Sequence, residues 1–190
     1  MRKRTKPRLT LTFIFISIIA FLFQPLSFFK YLAFVPAYAF SRPWSFVTSI
    51  FLHANFAHLF FNMFALFVFG SYLESRIKKI DFLLLFFLSG ISGNFAYLFT
   101  DINSSIPAVG ASGAIYGILG ALAIIYPALI VWVGYIPMPI IFAVVFWIIL
   151  NFVGLFIPSN IAYQAHLAGI FVGIFYGHKI KKKGTYFKYY

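Results

Sequence analysis

The chain has 190 residues, 63% of them hydrophobic and only 9% charged, with a mean hydropathy of +0.96. A soluble domain holds roughly 45–50% apolar residues, so a water-soluble fold is excluded and one compact membrane domain is expected; with no cysteine, disulfides, thiolate nucleophiles and Cys-ligated metals are excluded as well. The net charge of +12 would point to nucleic acid in a soluble protein, but all except two of the 15 Lys and Arg residues fall in three short clusters, the pattern of membrane topology signals and of contact with anionic lipid.

In chain order, the first cluster is Arg2, Lys3, Arg4, Lys6 and Arg8, which makes residues 1–8 a basic N-terminal segment. An apolar run over 9–29 follows. It exceeds the ~7–15 residues of a signal-peptide core, and the Ala37 and Ala39 pair that would mark cleavage lies well beyond its end, so the run is read as a retained span bent at Pro25. Residues 30–55 form a long connection that carries Lys30 and Arg42. It is too apolar for a solvated loop and, with Pro36 and Pro43, too interrupted for a span; the expected place is the outer membrane interface, where Trp44 and its aromatic neighbours are at home. Further apolar segments cover 56–75, 82–100, 113–129, 136–156 and 161–177, the boundary between the last but two and the last but one being blurred by Pro127, Pro137 and Pro139. All are read as helices, because backbone exposed to lipid must satisfy its own hydrogen bonds.

Six spans put both termini on one side. The second basic cluster, Arg76, Lys78 and Lys79, and the third, Lys179, Lys181, Lys182, Lys183 and Lys188, then share the cytoplasmic side with the first. The expected architecture is an all-α polytopic membrane protein: a six-helix bundle over residues 9–178 with a long interfacial first connection, followed by a basic cytoplasmic tail at 179–190. A prokaryotic cell membrane is the expected location.

This topology also works as a ruler for depth. Spans two, four and six all begin at the outer face. His58 and Asn62 lie one and two turns into span two, Ser112 opens span four, and His166 lies one turn into span six; at ~1.5 Å rise per residue they share an outer slab roughly 10 Å thick. Gly113, Gly117 and Gly120 on span four and Ala165, Gly169, Gly173 and Gly177 on span six form small-residue ladders that let two helices approach closely. If they pack together, Ser112 and His166 come within hydrogen-bond distance, and Tyr116, one turn deeper than Ser112, can hold the imidazole. A single serine in such a helix is ordinarily packing or back-bonding to its own carbonyls; four polar side chains meeting at one depth are a site.

Three motifs resemble those of the rhomboid intramembrane serine proteases. "GASG" at residues 110–113 is similar to that family's G-x-S-G nucleophile motif, "HANFAHLFFN" at 53–62 to its H-x-x-x-x-H-x-x-x-N segment, and "HLAGIFVG" at 166–173 to its H-x-x-G-x-x-x-G on the sixth helix. The resemblance implies a serine endopeptidase that cuts transmembrane proteins, with Ser112 as nucleophile and His166 as general base. It further implies that His58, Asn62 and the Ser112 backbone N–H stabilise the oxyanion and that Tyr116 packs on the His166 ring. Gly110, Gly113, Gly117, Gly169 and Gly173 are assigned to helix packing. His53 and Glu74 match positions of structural support. One departure is that the family often carries Trp-Arg in the first connection, where this chain has Trp44 followed by Ser45 and preceded by Arg42.

The chemistry of the residues themselves runs the same way. A serine hydroxyl is a poor nucleophile until a base takes its proton. Of the three acids, Glu74 and Asp81 fall on the cytoplasmic side and Asp101 in an outer connection, so a Ser-His dyad without a carboxylate is expected, with no cofactor and no metal. The expected partners are transmembrane protein substrates and the lipid bilayer, with nucleic acid excluded and the oligomeric state left open. Two rivals are carried: a small transporter or channel, disfavoured because few polar groups continue the path inward, and an inactive rhomboid-like protein that binds membrane partners, which has no need of both Ser112 and His166.

Overall fold

The computed structural model of the chain describes residues 6–23, 30–159 and 161–186. Six main helices run through them: α1 (Arg8–Phe23), α2 (Phe56–Glu74), α3 (Lys79–Thr100), α4 (Ser112–Ile125), α5 (Ile140–Gly154) and α6 (Tyr163–Lys183). By length and composition α2 and α3 are long and apolar enough to cross a membrane, while α1, α4 and α5 are shorter apolar helices. Pro25, where the first span was expected to bend, lies outside the described residues, as do Arg2, Lys3, Arg4 and Lys188.

Helix α4 is the centre of the molecule. Gly113 to its neighbour Ala114, then Ile118, Gly120, Ala121 and Leu122 are all buried, and α3 and α6 pack against it. Large apolar side chains point the other way on the outer helices: Phe60, Phe61, Phe64 and Phe67 of α2 are all exposed, the surface expected of helices that face lipid rather than water. The close approach of α4 and α6 depends on glycine. A β-carbon on Gly169 would overlap the carbonyl oxygen of Gly113, and one on Gly173 would overlap that of Gly117. One on Gly120 would stand 2.5 Å from the Ile170 carbonyl oxygen.

The expectation of an all-α chain needs one correction. Residues 136–139, read as the start of the fifth helix, are instead strand β2 (Ile136–Pro139), paired antiparallel with β1 (Ile130–Val133). Pro137 and Pro139 cannot donate to a helical ladder, which delays α5 to Ile140. Gly134, at φ +62°, turns the chain in the two-residue loop between the strands, the position where a positive φ is required. The sixth helix also extends beyond the expected 161–177: lysines suit a helix C-terminus, so α6 continues through Lys181, Lys182 and Lys183 to a left-handed cap at Gly184. Lys181 Nζ there donates to the Ile124 carbonyl oxygen at 2.9 Å, serving the C-terminal end of α4.

The first connection is bound to the bundle rather than lying free. Phe34 and Ala108 exchange backbone hydrogen bonds of 3.2 and 2.7 Å, and Asn94 of α3 donates to the Phe46 carbonyl and to Ser49 Oγ at 2.9 Å each. Its Trp44 indole donates to the Tyr31 carbonyl at 3.0 Å. Ser45, which follows Trp44, is buried and its hydroxyl donates to the Arg42 carbonyl at 2.6 Å; the guanidinium of Arg42 itself lies 4.6 Å and 4.4 Å from the Tyr31 and Tyr38 rings. The cation is thus held by aromatic faces from a position three residues earlier.

Glu74, at the end of α2, is fully buried, and its carboxylate accepts the backbone N–H groups of Leu9 at 2.9 Å and Thr10 at 2.8 Å. These are first-turn donors of α1 that no intrahelical carbonyl can serve, and a negative charge there also suits the helix dipole. Glu74→Leu is expected to leave two first-turn donors unsatisfied, the Thr10 one buried and the Leu9 one partly buried, and cost about 3 kcal/mol. A thermal melt in detergent micelles checks it: the variant should unfold several degrees lower, whereas an unchanged midpoint would remove the cap from the account.

Candidate active site

Ser112 is the first residue of α4, so its backbone N–H belongs to the first turn and has no helical acceptor. The turn into α4 is set by Gly110, whose φ of +124° is open only to glycine. Gly110 also makes room: a β-carbon on it would lie 2.8 Å from Cε1 and Nε2 of His58. Grouped by sequence with the helix-packing glycines, Gly110 is corrected to a loop position ahead of α4 that brings the His58 ring against the Ser112 segment. Gly113, Gly117, Gly169 and Gly173 do lie between packed helices.

His166 stands one turn into α6. Its Nε2 is 2.9 Å from Ser112 Oγ, and its ring centroid is 4.5 Å from that of Tyr116, with the planes inclined by 31°. The α4–α6 seam explains this distance, because Gly169, one turn after His166, packs on Gly113, the residue after Ser112.

His58 and Asn62 stand together on α2. Asn55 caps that helix, its Oδ1 accepting the His58 backbone N–H at 2.8 Å. His58 Nδ1 faces the Ala54 N–H at a long 3.5 Å, which favours the proton on Nε2, the ring nitrogen nearest Gly110. The Asn62 amide donates one hydrogen from Nδ2 to the His58 carbonyl at 2.8 Å and retains a second. His53, in the connection before α2, is fully buried with its ring centroid 5.1 Å from that of His58. Its imidazole is pushed down to about 4, by burial first and by the neighbouring His58 second, and so stands neutral against His58.

Ser112, Tyr116, His166, His58 and Asn62 line one cavity of about 1410 Å³. Phe61 and Phe69 of α2, Trp147 of α5 and Leu155 contribute apolar lining, while Ser112, His58, Asn62 and His166 supply polar groups. Among the described residues no three His, Asp or Glu side chains converge as metal ligands would.

The sequence did not single out Asn151. It lies on α5, almost wholly buried, with Oδ1 2.8 Å from His166 Nδ1 and with Nδ2 donating to the Trp147 carbonyl at 2.8 Å. From the sequence the expected orienting group for the imidazole is Tyr116, with no carboxylate in reach; the amide oxygen of Asn151 is an acceptor that neither consideration covers. The available signal was an Asn inside an otherwise apolar stretch, a position at which a polar group in a membrane ordinarily has a use.

Fold and site together define a helical membrane protein that holds an imidazole–hydroxyl pair beside an apolar cavity. The chain belongs to the rhomboid family: the Rhomboid domain matches residues 41–183. It is 36% identical over 129 residues to YdcA of Bacillus subtilis, covering 67% of this chain and 62% of that protein. It is 38% identical over 135 residues to the rhomboid protease GluP of the same organism, covering 70% of this chain and 25% of GluP. Over 80 residues, 42% of this chain and 22% of the relative, it is 36% identical to the inactive RHOMBOID-like protein 8 of Arabidopsis thaliana. The chain thus spans less than two thirds of the length of the relatives it matches.

Proposed function

We propose that the protein is an intramembrane serine endopeptidase that hydrolyses peptide bonds in or beside the spans of other membrane proteins. The observation that carries this reading is the 2.9 Å contact of His166 Nε2 with Ser112 Oγ on the wall of a cavity. In the reaction, Ser112 Oγ attacks the scissile carbonyl carbon as its proton passes to His166 Nε2. Negative charge then builds on the carbonyl oxygen, where the donors on hand are the Ser112 backbone N–H, His58 Nε2–H and the second Asn62 N–H. His166 returns the proton to the leaving amine, and a water molecule, activated by the same imidazole, hydrolyses the serine ester. No cofactor enters these steps.

The six helices are taken as six spans in a prokaryotic cell membrane, with 1–8, the Arg76 to Lys79 turn and 179–190 cytoplasmic and the site facing outward. A substrate helix hides each scissile carbonyl in an i to i−4 hydrogen bond, so it must unwind before Ser112 can reach it. Small residues beside the cut and a nearby Gly or Pro should help. The test is to incubate the purified protein with a single-span substrate in detergent or vesicles and map products by mass spectrometry, moving Gly or Pro stepwise along the span. Cleavage near the outer end, advancing with the helix breaker, is expected; cleavage at the cytoplasmic end would contradict the proposed depth. A protein that holds substrates but never cuts them would instead belong with the inactive relative.

A further inference from the structure

Resting on that reading of Ser112 and His166, we propose that Asn151 is a positioning residue: it fixes the His166 imidazole in the tautomer whose Nε2 is free to take the Ser112 proton. The imidazole has two nitrogens and, when neutral, one proton. Only the form protonated on Nδ1 can act as a base toward Ser112, since Nε2 is the nitrogen 2.9 Å from Ser112 Oγ. Asn151 Oδ1, 2.8 Å from Nδ1, is an acceptor and can be satisfied only by that form.

The amide would select the opposite tautomer if it were turned over. Its NH2 would then face Nδ1, which would have to accept, and the proton would sit on Nε2 against the serine oxygen. What fixes the amide is the hydrogen bond from Nδ2 to the Trp147 carbonyl, 2.8 Å away in the preceding turn of α5. With its nitrogen committed to its own helix, Asn151 presents oxygen to His166. Burial strengthens the selection, because Asn151 is 3% exposed and water cannot substitute for either partner.

The separation of the two helices is fixed as well. Gly154, three residues after Asn151, is buried against Tyr163, three residues before His166; a β-carbon on Gly154 would lie 2.7 Å from the Tyr163 ring. The antiparallel contact at this pair sets the distance one turn away, between Asn151 and His166. The titratable groups around the ring are Tyr116 from α4, Tyr163 from α6 and His58 across the cavity from α2. The carboxylates lie elsewhere: Glu74 is bonded to the start of α1, Asp81 to Tyr176 at 3.4 Å, and Asp101 is exposed beyond the end of α3.

The test joins a spectroscopic reading to kinetics. In ¹⁵N-histidine-labelled protein in micelles, the wild-type His166 signals should show Nδ1 protonated and Nε2 bare. In Asn151→Leu the Nε2-protonated form should appear, and kcat should fall about 10- to 100-fold, by analogy with the loss seen when the outer partner of a metal-bound imidazole is removed, with KM little changed. Asn151→Asp keeps an acceptor and should restore the Nδ1–H form and most of kcat. It also places a negative charge beside the ring, which favours the imidazolium, so the acidic limb of kcat/KM should move to higher pH. A wild-type His166 protonated on Nε2 overturns the proposal, as does an Asn151→Leu protein with unchanged tautomer and kcat, or an Asn151→Asp protein no better than the leucine variant. If Leu prevents folding, the wild-type spectrum and the Asp variant still decide. If the wild-type protein cleaves nothing, the proposed function fails while the tautomer measurement stands by itself.

Discussion

Peptide-bond cleavage is expected to vanish in Ser112→Ala and in His166→Ala, with the protein still folded in each. Removing either member of a hydroxyl–imidazole unit costs roughly 10⁶ in kcat in the serine proteases where it has been measured, and removing both costs no more than removing one. The double variant should therefore be no worse than the singles. Stability should change little by comparison, because both side chains border a cavity that water can fill and their mutual hydrogen bond is worth about 1 kcal/mol. A fluorophosphonate probe adds a measurement independent of substrate choice: it should label the wild type on Ser112 and neither variant. Labelling that persists in Ser112→Ala would falsify the assignment of the nucleophile. Cleavage lost together with the thermal transition would mean that the pair is structural instead.

The site was legible in the sequence to the extent that it obeys helix geometry. Ser112, His166, His58 and Asn62 were expected to meet because three helices start at one face and the small-residue ladders allow α4 and α6 to touch; the structure brings these side chains to one cavity. What escaped was chemistry that spacing does not encode. Asn151 sits on a helix whose sequence gives no hint of which face meets α6, and its contact with His166 arises from the Gly154 and Tyr163 packing. Gly110 is grouped by sequence with the packing glycines, although its φ of +124° and the nearness of the His58 ring give it a different task. The β-hairpin was hidden for a related reason: IPMP is as apolar as a helix turn, and only its prolines signal that it cannot be one. Glu74 was assigned to support on resemblance; the support it gives, two hydrogen bonds to the start of α1 some sixty residues earlier in the chain, depends on tertiary placement.

The seam between α4 and α6 yields the second large effect, and its expected form is a gradient along α6. Gly169, Gly173 and Gly177 face Gly113, Gly117 and Ala121 in turn, and in the first two cases an added β-carbon would overlap a backbone carbonyl oxygen, which has no side-chain freedom with which to yield. At Gly177 the nearest atoms are 3.0 Å and 3.1 Å away, tight but less so. Overpacking of this kind costs about 1–3 kcal/mol for a methyl group and more for a larger side chain, so Gly173→Leu is expected not to assemble the bundle at all. The alanine series separates packing from catalysis. Gly169 lies one turn from His166 and its contact, Gly113, is the residue after Ser112, so forcing the helices apart there also lengthens the Ser112 to His166 contact. A displacement of about 1 Å at reacting groups can cost 10² in rate. Gly169→Ala should therefore lose about that much turnover even in the fraction that remains folded, Gly173→Ala less, and Gly177→Ala chiefly thermal stability. The measurement is kcat per folded molecule beside the melting midpoint for each variant. Equal activity at all three positions would mean that the seam holds the fold without setting the distance between Ser112 and His166.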